Sequence, residues 1–151
     1  MPRIEPADPT APAPRALLAA SAALMEQLFD AEDNHYLSPE ELARDGIHFF
    51  VVRNAAGDAT GTIALAEKDG YGEVKALFVD PEARGLGLAR ALLAHVEGVA
   101  RDLGLAWLRL ETGDRLYSAI NLYRAAGFTT CGPFGDYEAN GSSVFLEKHL
   151  I

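Results

Sequence analysis

The chain has 151 residues, 49% of them hydrophobic, with 22 acidic side chains against 13 basic ones and a formal net charge of −9. This length can bury the core of one domain and is short for two, so we expect a single domain over residues 1–151. The negative charge disfavours nucleic acid and anionic membranes as partners and favours a neutral or cationic substrate.

The cysteine content and the hydrophobic pattern exclude further classes of protein. One cysteine, Cys131, cannot form a disulfide within the chain, and no CxxC or HxxxH pair has the spacing of a metal site, so we expect no metal. No run of 18 apolar residues is present, and the N-terminal sequence lacks the basic and then hydrophobic order of a signal peptide. We therefore predict a cytoplasmic protein.

The N-terminal part of the chain predicts one short strand and two helices. Residues 3–5 suit a strand, and residues 14–29 suit a helix with a proline in its first turn. The sequence Ser-Pro-Glu-Glu at 38–41 combines a capping box with a proline at the first helical position. A polar loop, residues 30–36, is expected between the two helices.

The middle of the chain predicts an antiparallel meander followed by a β-α-β unit. Three strands are expected, at residues 47–52, 60–66 and 73–79. A helix with apolar residues on one face follows and ends near Gly104, and residues 106–112 form the next strand. The strands on either side of this helix should be parallel, with a right-handed crossover.

The last third predicts a helix over residues 116–126, ending at Gly127, and two antiparallel strands at 128–131 and 144–148. The expected fold class is α/β, with a mixed, mostly antiparallel sheet of six to seven strands, one parallel pair, and helices on both faces.

The segment Val79–Arg90, V-D-P-E-A-R-G-L-G-L-A-R, joins the parallel strand to the helix and predicts an anion site. Its glycines allow another molecule to approach the backbone, and the unpaired N–H groups of the helix start favour a phosphate. The spacing of a P-loop is absent, and a dinucleotide fingerprint fails because Arg90 stands where its third glycine is required. A helix start whose glycines only make a turn is the alternative.

Two motifs resemble hallmarks of the GCN5-related N-acetyltransferases, the GNAT family. Residues 84–89, R-G-L-G-L-A, resemble the Q/R-x-x-G-x-G/A signature that binds the pyrophosphate of coenzyme A. Residues 119–128, A-I-N-L-Y-R-A-A-G-F, resemble the family's second hallmark, in the expected order and after a strand of suitable length. The resemblance covers roughly residue 47 to the C-terminus and is to bacterial small-molecule members. It implies that the parallel strands splay apart, that acetyl-CoA is the cosubstrate, and that homodimers are possible.

The resemblance also implies positions for the coenzyme. The backbone of Leu77, Phe78 and Val79 should meet the thioester and the pantetheine amides. Asn121 should reach the pantetheine, and Tyr123 should direct its hydroxyl at the thioester sulfur. The pyrophosphate should be held by the side chain of Arg84 and by the backbone N–H groups of Gly85, Leu86, Gly87, Leu88 and Ala89.

Transfer to a primary amine requires a proton acceptor, because such an amine is almost fully protonated at pH 7. Glu73, eleven residues before Arg84, has the spacing of the general base in histone-type members. Burial would have to raise its pKa for this role, and a solvated glutamate or a water chain is the alternative. The Leu77 amide should stabilise the oxyanion, and Tyr123 should hydrogen-bond or protonate the leaving thiolate.

The acceptor amine is expected to lie against two polar loops. One contributes Glu32, His35 and Tyr36, with Asp33, and the other contributes Tyr137; solvated surface loops would carry the same residues. We predict N-acetylation of a small molecule, amino acid or peptide by direct transfer in a ternary complex, without a covalent intermediate on Cys131. An acyl-CoA-binding module without turnover and an enzyme with a longer acyl donor are the alternatives.

Overall fold

The computed structural model describes residues 2–30 and 35–151. The elements of this part of the chain are, in order, β1 (Arg3–Pro6), α1 (Pro12–Leu28), α2 (Pro39–Leu42), β2 (Ile47–Arg53), β3 (Ala59–Glu67), β4 (Tyr71–Val79), α3 (Leu88–Asp102), β5 (Trp107–Gly113), α4 (Tyr117–Ala125), β6 (Thr129–Cys131) and β7 (Ser143–His149). The seven strands form one sheet in the order β1-β2-β3-β4-β5-β7-β6, with β4 and β5 as its parallel pair. The predicted fold class is confirmed.

Local signals explain most element boundaries. Ser38 Oγ accepts from the Glu41 N–H at 3.1 Å while the Glu41 carboxylate accepts from the Ser38 N–H at 3.0 Å, so the predicted capping box is present. The helix that it starts, α2, has only four residues. Gly70, with φ of 85°, makes the hairpin turn and lets β4 begin at Tyr71, two residues before the predicted start. A short 3-10 turn at Pro81–Ala83 was not predicted.

The sheet buries a different set of side chains on each face. The larger core packs α3 and α4 against the sheet and includes Ile63, Leu92, Val96 and Leu110, which are almost completely buried. A smaller core beneath α1 and α2 includes Leu18, Leu42, Phe49, Val51 and Ala64. Helices therefore cover both faces, as the sequence predicts.

Strands β4 and β5 pair over only three residues each. The parallel register runs from Tyr71 opposite Trp107 to Glu73 opposite Arg109 and stops there. Beyond that point β4 stays paired with β3 as far as Val79, and β5 stays paired with β7 as far as Gly113. The two strands therefore separate towards their C-terminal ends, which confirms the predicted splaying. The gap between them is called the wedge below.

A bulge interrupts β4 at the open side of the wedge. The register with β3 shifts between Thr62 and Ala64, and Ala76 adopts φ of 58°, a left-handed conformation that is uncommon for alanine. The buried Thr62 hydroxyl donates to the Ala76 carbonyl oxygen at 2.7 Å. Ala76 and Leu77, at this bulge, line the cavity in the wedge.

Candidate active site

The bend before α3 is open to a ligand. Gly85 and Gly87 have φ of 84° and 76°, and a Cβ placed on either glycine would meet no atom within 4 Å. The first helical hydrogen bond runs from the Ala91 N–H to the Gly87 carbonyl oxygen at 3.1 Å, so the N–H groups of Leu88 and Ala89 precede the bonded turn. This bend is an exposed row of backbone donors at the positive end of a helix dipole.

Arg84 lies beside the bend and is held against the end of β4. Its Nε donates to the Val79 carbonyl oxygen at 3.1 Å, and its guanidinium lies 5.8 Å from the centre of the Phe78 ring. The remaining N–H groups of the guanidinium donate to no residue in the described part of the chain. They are available to an anion that enters the bend.

A cavity of about 360 Å³ opens between the separated strands and extends beneath α1. From the wedge side it is lined by Ala76, Leu77, Thr112, Gly113, Leu116, Ala119 and Tyr123. Tyr123 is only 6% exposed and packs against Phe128, with ring centres 5.8 Å apart. Burial, with a contribution from the charge of Glu111, raises the pKa of Tyr123, so its hydroxyl remains a hydrogen-bond donor at neutral pH.

A second, more polar cavity of about 720 Å³ lies between the β3–β4 hairpin and the loop that joins β6 to β7. Its charged lining residues are Lys68, Glu73, Lys75, Asp136 and Glu138. The two cavities share a wall formed by His35, Tyr36, Leu37 and Lys75. The polar cavity therefore adjoins the wedge.

Glu73 is the centre of a hydrogen-bonded cluster at this wall. Its Oε2 accepts from the Tyr137 hydroxyl at 2.5 Å and from Lys75 Nζ at 3.1 Å, and Lys75 Nζ also donates to the Tyr137 oxygen at 2.9 Å. Both donors use the same carboxylate oxygen. Glu73 Oε1 accepts no hydrogen bond from the described residues, although the side chain as a whole is only 5% exposed. The carboxylate is thus fixed through one oxygen and leaves the other for a ligand.

A second carboxylate, Glu111 on β5, was not predicted as a site residue. It lines the wedge cavity together with Leu77 and Tyr123, and its Oε2 accepts from Ser143 Oγ at 2.7 Å and lies 3.4 Å from His35 Nδ1. This imidazole nitrogen is buried and makes no hydrogen bond with the residues described. The alternation of β5 places Glu111 on the polar face of its strand, and that signal could have identified it.

Two of the predicted acceptor residues fall on the shared wall. His35 and Tyr36 line both cavities, and the Tyr36 hydroxyl donates to Glu26 at 2.8 Å. Tyr137 lines the polar cavity, whereas Glu32 and Asp33 lie outside the described residues.

Asn121 and Leu86, both predicted near the coenzyme, are exposed. Asn121 on α4 is not among the residues that line the wedge cavity, and its contact with the pantetheine stays a prediction. Leu86, at the tip of the bend, is 72% exposed.

Two kinds of feature are absent from residues 2–30 and 35–151. No group of three or more histidine, cysteine, aspartate or glutamate side chains has the arrangement of a metal site. No helix has the length and hydrophobicity needed to cross a bilayer.

Comparison with known proteins agrees with the geometry. The family model described as Acetyltransferase (GNAT) family matches residues 16–128. IAA acetyltransferase of Azospirillum brasilense is 45% identical over 124 residues, which span 82% of this chain and 81% of the relative. The uncharacterized N-acetyltransferase YedL of Escherichia coli K12 is 34% identical over 148 residues, or 95% of this chain and 91% of the relative.

A solved structure supports the same assignment over the whole chain. It is described as that of a candidate acyl-CoA N-acyltransferase from Klebsiella pneumoniae, and it superposes with a TM-score of 0.85 at 36% identity, covering 100% of this chain and 99% of the other. Membership of one family accounts for the wedge, the glycine bend and these similarities. The chain is an acetyltransferase that belongs to the GNAT family, whose members use an acyl-CoA donor.

Proposed function

We propose that the protein transfers an acetyl group from acetyl-CoA directly to the primary amine of a small molecule, amino acid or peptide. The observation that carries this proposal is the position of Glu73, a buried carboxylate with one free oxygen facing the polar cavity. That cavity adjoins the wedge at the residues that line both, so an amine beside Glu73 can reach the thioester.

The coenzyme fits the open bend and the wedge. The donors before Ala91, with the free part of Arg84, suit a diphosphate, and the separated strands leave backbone groups that a pantetheine arm would satisfy. When bound, acetyl-CoA supplies the activated acyl group. The Leu77 N–H, at the bulge beside the wedge, is our candidate for stabilising negative charge on the acyl oxygen.

The cluster around Glu73 would bind the acceptor amine and remove a proton from it. Glu73 Oε1 would bind the incoming ammonium group and accept a proton from it, while Lys75 and Tyr137 keep the carboxylate in a fixed orientation through Oε2. Glu111 is the second candidate for proton acceptor, because it lines the same cavity as Leu77 and Tyr123.

Tyr123 would stabilise the leaving thiolate. The raised pKa of its buried hydroxyl favours a strong hydrogen bond over complete loss of the proton. Burial also raises the pKa of the Cys131 thiol, which makes this cysteine a poor nucleophile and favours direct transfer.

The experiment is a thiol-release assay with acetyl-CoA and a panel of primary amines, followed by initial-rate kinetics with the best acceptor. Intersecting double-reciprocal lines, with no acetylated protein by mass spectrometry in the absence of acceptor, are the expected result. Glu73→Gln should lose most of kcat, and Glu111→Gln is the matched carboxylate control. If Glu111→Gln lost more kcat than Glu73→Gln, the base would be Glu111 and not Glu73.

Tight coenzyme binding without amine-stimulated thiol release, and without any effect of Tyr123→Phe, would instead support a binding module. Parallel kinetic lines with a stable adduct on Cys131 would contradict direct transfer.

A further inference from the structure

The wedge cavity is longer than acetyl transfer requires. Its α1 side is lined by Arg15, Leu18, Ala19, Ala22, Met25 and Phe29. The first five positions recur at helical spacing on one face of α1, and Phe29 follows its last residue. From Arg15 to Leu28 the helix rises about 20 Å. The cavity therefore runs along α1 from the wedge towards α2.

The middle of this cavity is mostly apolar. Ala19 and Ala22 face it from α1, with Ser21 between them in sequence, and Leu37 and Leu42 face it from the α2 side. Its charged lining residues lie at the two ends, with Glu111 and Lys75 at the wedge and Arg15 at the far end. Arg15 also pairs with Glu40, which links α1 to α2 there. Such a lining suits an uncharged hydrocarbon group.

The volume leaves room for several carbon atoms beyond an acetyl group. If each heavy atom takes up roughly the 30 Å³ of a water molecule, an acetyl thioester with its cysteamine end fills about 210 Å³. The cavity holds about 360 Å³. The difference of about 150 Å³ corresponds to four or five further carbons at the same rate.

We propose that the enzyme accepts straight acyl groups of up to about six carbons, and that the alanine-lined face of α1 binds their hydrocarbon end. This inference rests on the proposed acyl transfer from coenzyme A. The hydrocarbon belongs to the donor because the apolar part of the cavity is continuous with Leu77 and Tyr123, where the thioester is expected. The acceptor is expected to reach the thioester from the adjoining polar cavity.

The test compares acetyl-CoA, butanoyl-CoA and hexanoyl-CoA, both as donors with one amine and as ligands in calorimetric titrations without acceptor. Ala22→Leu fills the cavity, and Ala23→Leu is the matched control, since Ala23 is exposed on α1 and does not line the cavity. In the wild type, hexanoyl-CoA should bind at least as tightly as acetyl-CoA. Ala22→Leu should weaken hexanoyl-CoA roughly tenfold or more, the effect of excluding about two methylene groups, and leave acetyl-CoA nearly unchanged.

The outcomes separate this inference from the proposed function. Thiol release with acetyl-CoA but neither binding nor turnover of the longer donors would overturn the inference and leave the function standing. Equal effects of Ala22→Leu and Ala23→Leu, or an effect of Ala22→Leu confined to the KM of the amine, would also overturn it. A preference for hexanoyl-CoA in binding that Ala22→Leu abolishes, without turnover of any donor, would support the acyl site and reject the transferase.

Discussion

Tyr137 donates its hydroxyl hydrogen to Glu73 Oε2 across 2.5 Å, and this bond connects the β6–β7 loop to β4. The tyrosine ring is also packed against Phe134 and Phe145, with ring centres 5.2 Å and 5.6 Å away. The loop is thus fixed on the sheet by aromatic contacts and directed to the carboxylate by one hydroxyl. Contacts within the chain therefore hold this part of the polar cavity.

Removing that hydroxyl should affect both catalysis and folding. Tyr137→Phe keeps the aromatic contacts but frees Glu73 to change its orientation, so we expect kcat to fall about tenfold and acetyl-CoA affinity to stay unchanged. The loss of a hydrogen bond to a charged group should lower the free energy of unfolding by about 1.5–3 kcal/mol. Initial-rate kinetics and urea unfolding measure the two effects.

Tyr117→Phe is the control, because this tyrosine is 70% exposed and lines neither the wedge cavity nor the polar cavity. A Tyr137→Phe enzyme with wild-type kcat would show that the hydroxyl does not orient Glu73 for catalysis.

The sequence predicts the order of the strands and helices because local signals determine each of them. Gly70, Gly87, Gly104 and Gly127 all have positive φ, as expected for the turn, the bend and the two helix ends. The apolar spacing of residues 88–103 likewise predicts α3. These features depend on neighbours in sequence, so a single chain is enough to recognise them.

The site itself depends on contacts between distant residues, which a single sequence does not reveal. Glu73 and Tyr137 are 64 positions apart, and Glu111 and Ser143 are 32 apart. The role of Lys75 was missed because an alternating strand gives no sign of which polar side chain will be buried. The bulge at Ala76 was missed because no glycine marks it.

The bulge gives a prediction of its own. Thr62→Val removes the donor to the Ala76 carbonyl oxygen, and because the threonine is fully buried, the free energy of unfolding should fall by about 1–3 kcal/mol. We also expect a lower kcat at unchanged coenzyme affinity, since the bulge positions the Leu77 N–H. Thr62→Ser keeps the hydroxyl and should retain kcat. A loss of kcat in Thr62→Ser but not in Thr62→Val would point to packing of the methyl group instead.

The bend before α3 predicts a charge effect on coenzyme binding. An aspartate at Gly87 would face a bound diphosphate, and since two like charges about 4 Å apart repel by about 1–4 kcal/mol, Gly87→Asp should weaken coenzyme A at least tenfold. Calorimetric titration at two ionic strengths measures the loss, which should shrink as salt screens the repulsion.

Two matched variants separate charge from shape at this bend. Gly87→Ala adds bulk at a positive φ without charge and should weaken binding less than Gly87→Asp. Gly98→Asp adds the same charge further along α3, at an exposed position with open space around it. Similar losses with Gly87→Asp and Gly98→Asp would place the diphosphate elsewhere.

Stability should fall in alkaline solution because of the buried tyrosines. Burial raises the pKa of Tyr123, and burial together with the Glu73 carboxylate raises the pKa of Tyr137. Above pH of about 10 the unfolded chain loses these protons while the folded protein keeps them, so the free energy of unfolding decreases as the pH rises. Urea unfolding between pH 8 and 11 should show a shallower decrease in Tyr137→Phe than in Tyr117→Phe. Identical slopes in Tyr137→Phe and Tyr117→Phe would contradict the raised pKa of Tyr137.

The contact between Phe29 and Gly113 gives the sharpest test of how α1 is placed. A Cβ on Gly113 would lie 2.0 Å from Phe29 Cζ, so the glycine is needed for the ring to rest on β5. Arg115 also connects this end of α1 to the chain after β5, by donating to the Leu28 carbonyl oxygen at 2.7 Å. Gly113→Ala should therefore lower the free energy of unfolding by about 1–3 kcal/mol through overpacking.

A double-mutant cycle assigns this cost to the ring. Phe29→Leu in the Gly113→Ala background should recover part of the loss, with a coupling energy of about 1 kcal/mol or more by urea unfolding. Gly132→Ala is the control, because its added methyl group meets no atom within 4 Å. Additive effects of Gly113→Ala and Phe29→Leu would mean that α1 does not rest on β5 through this ring. They would also contradict the extension of the wedge cavity along α1.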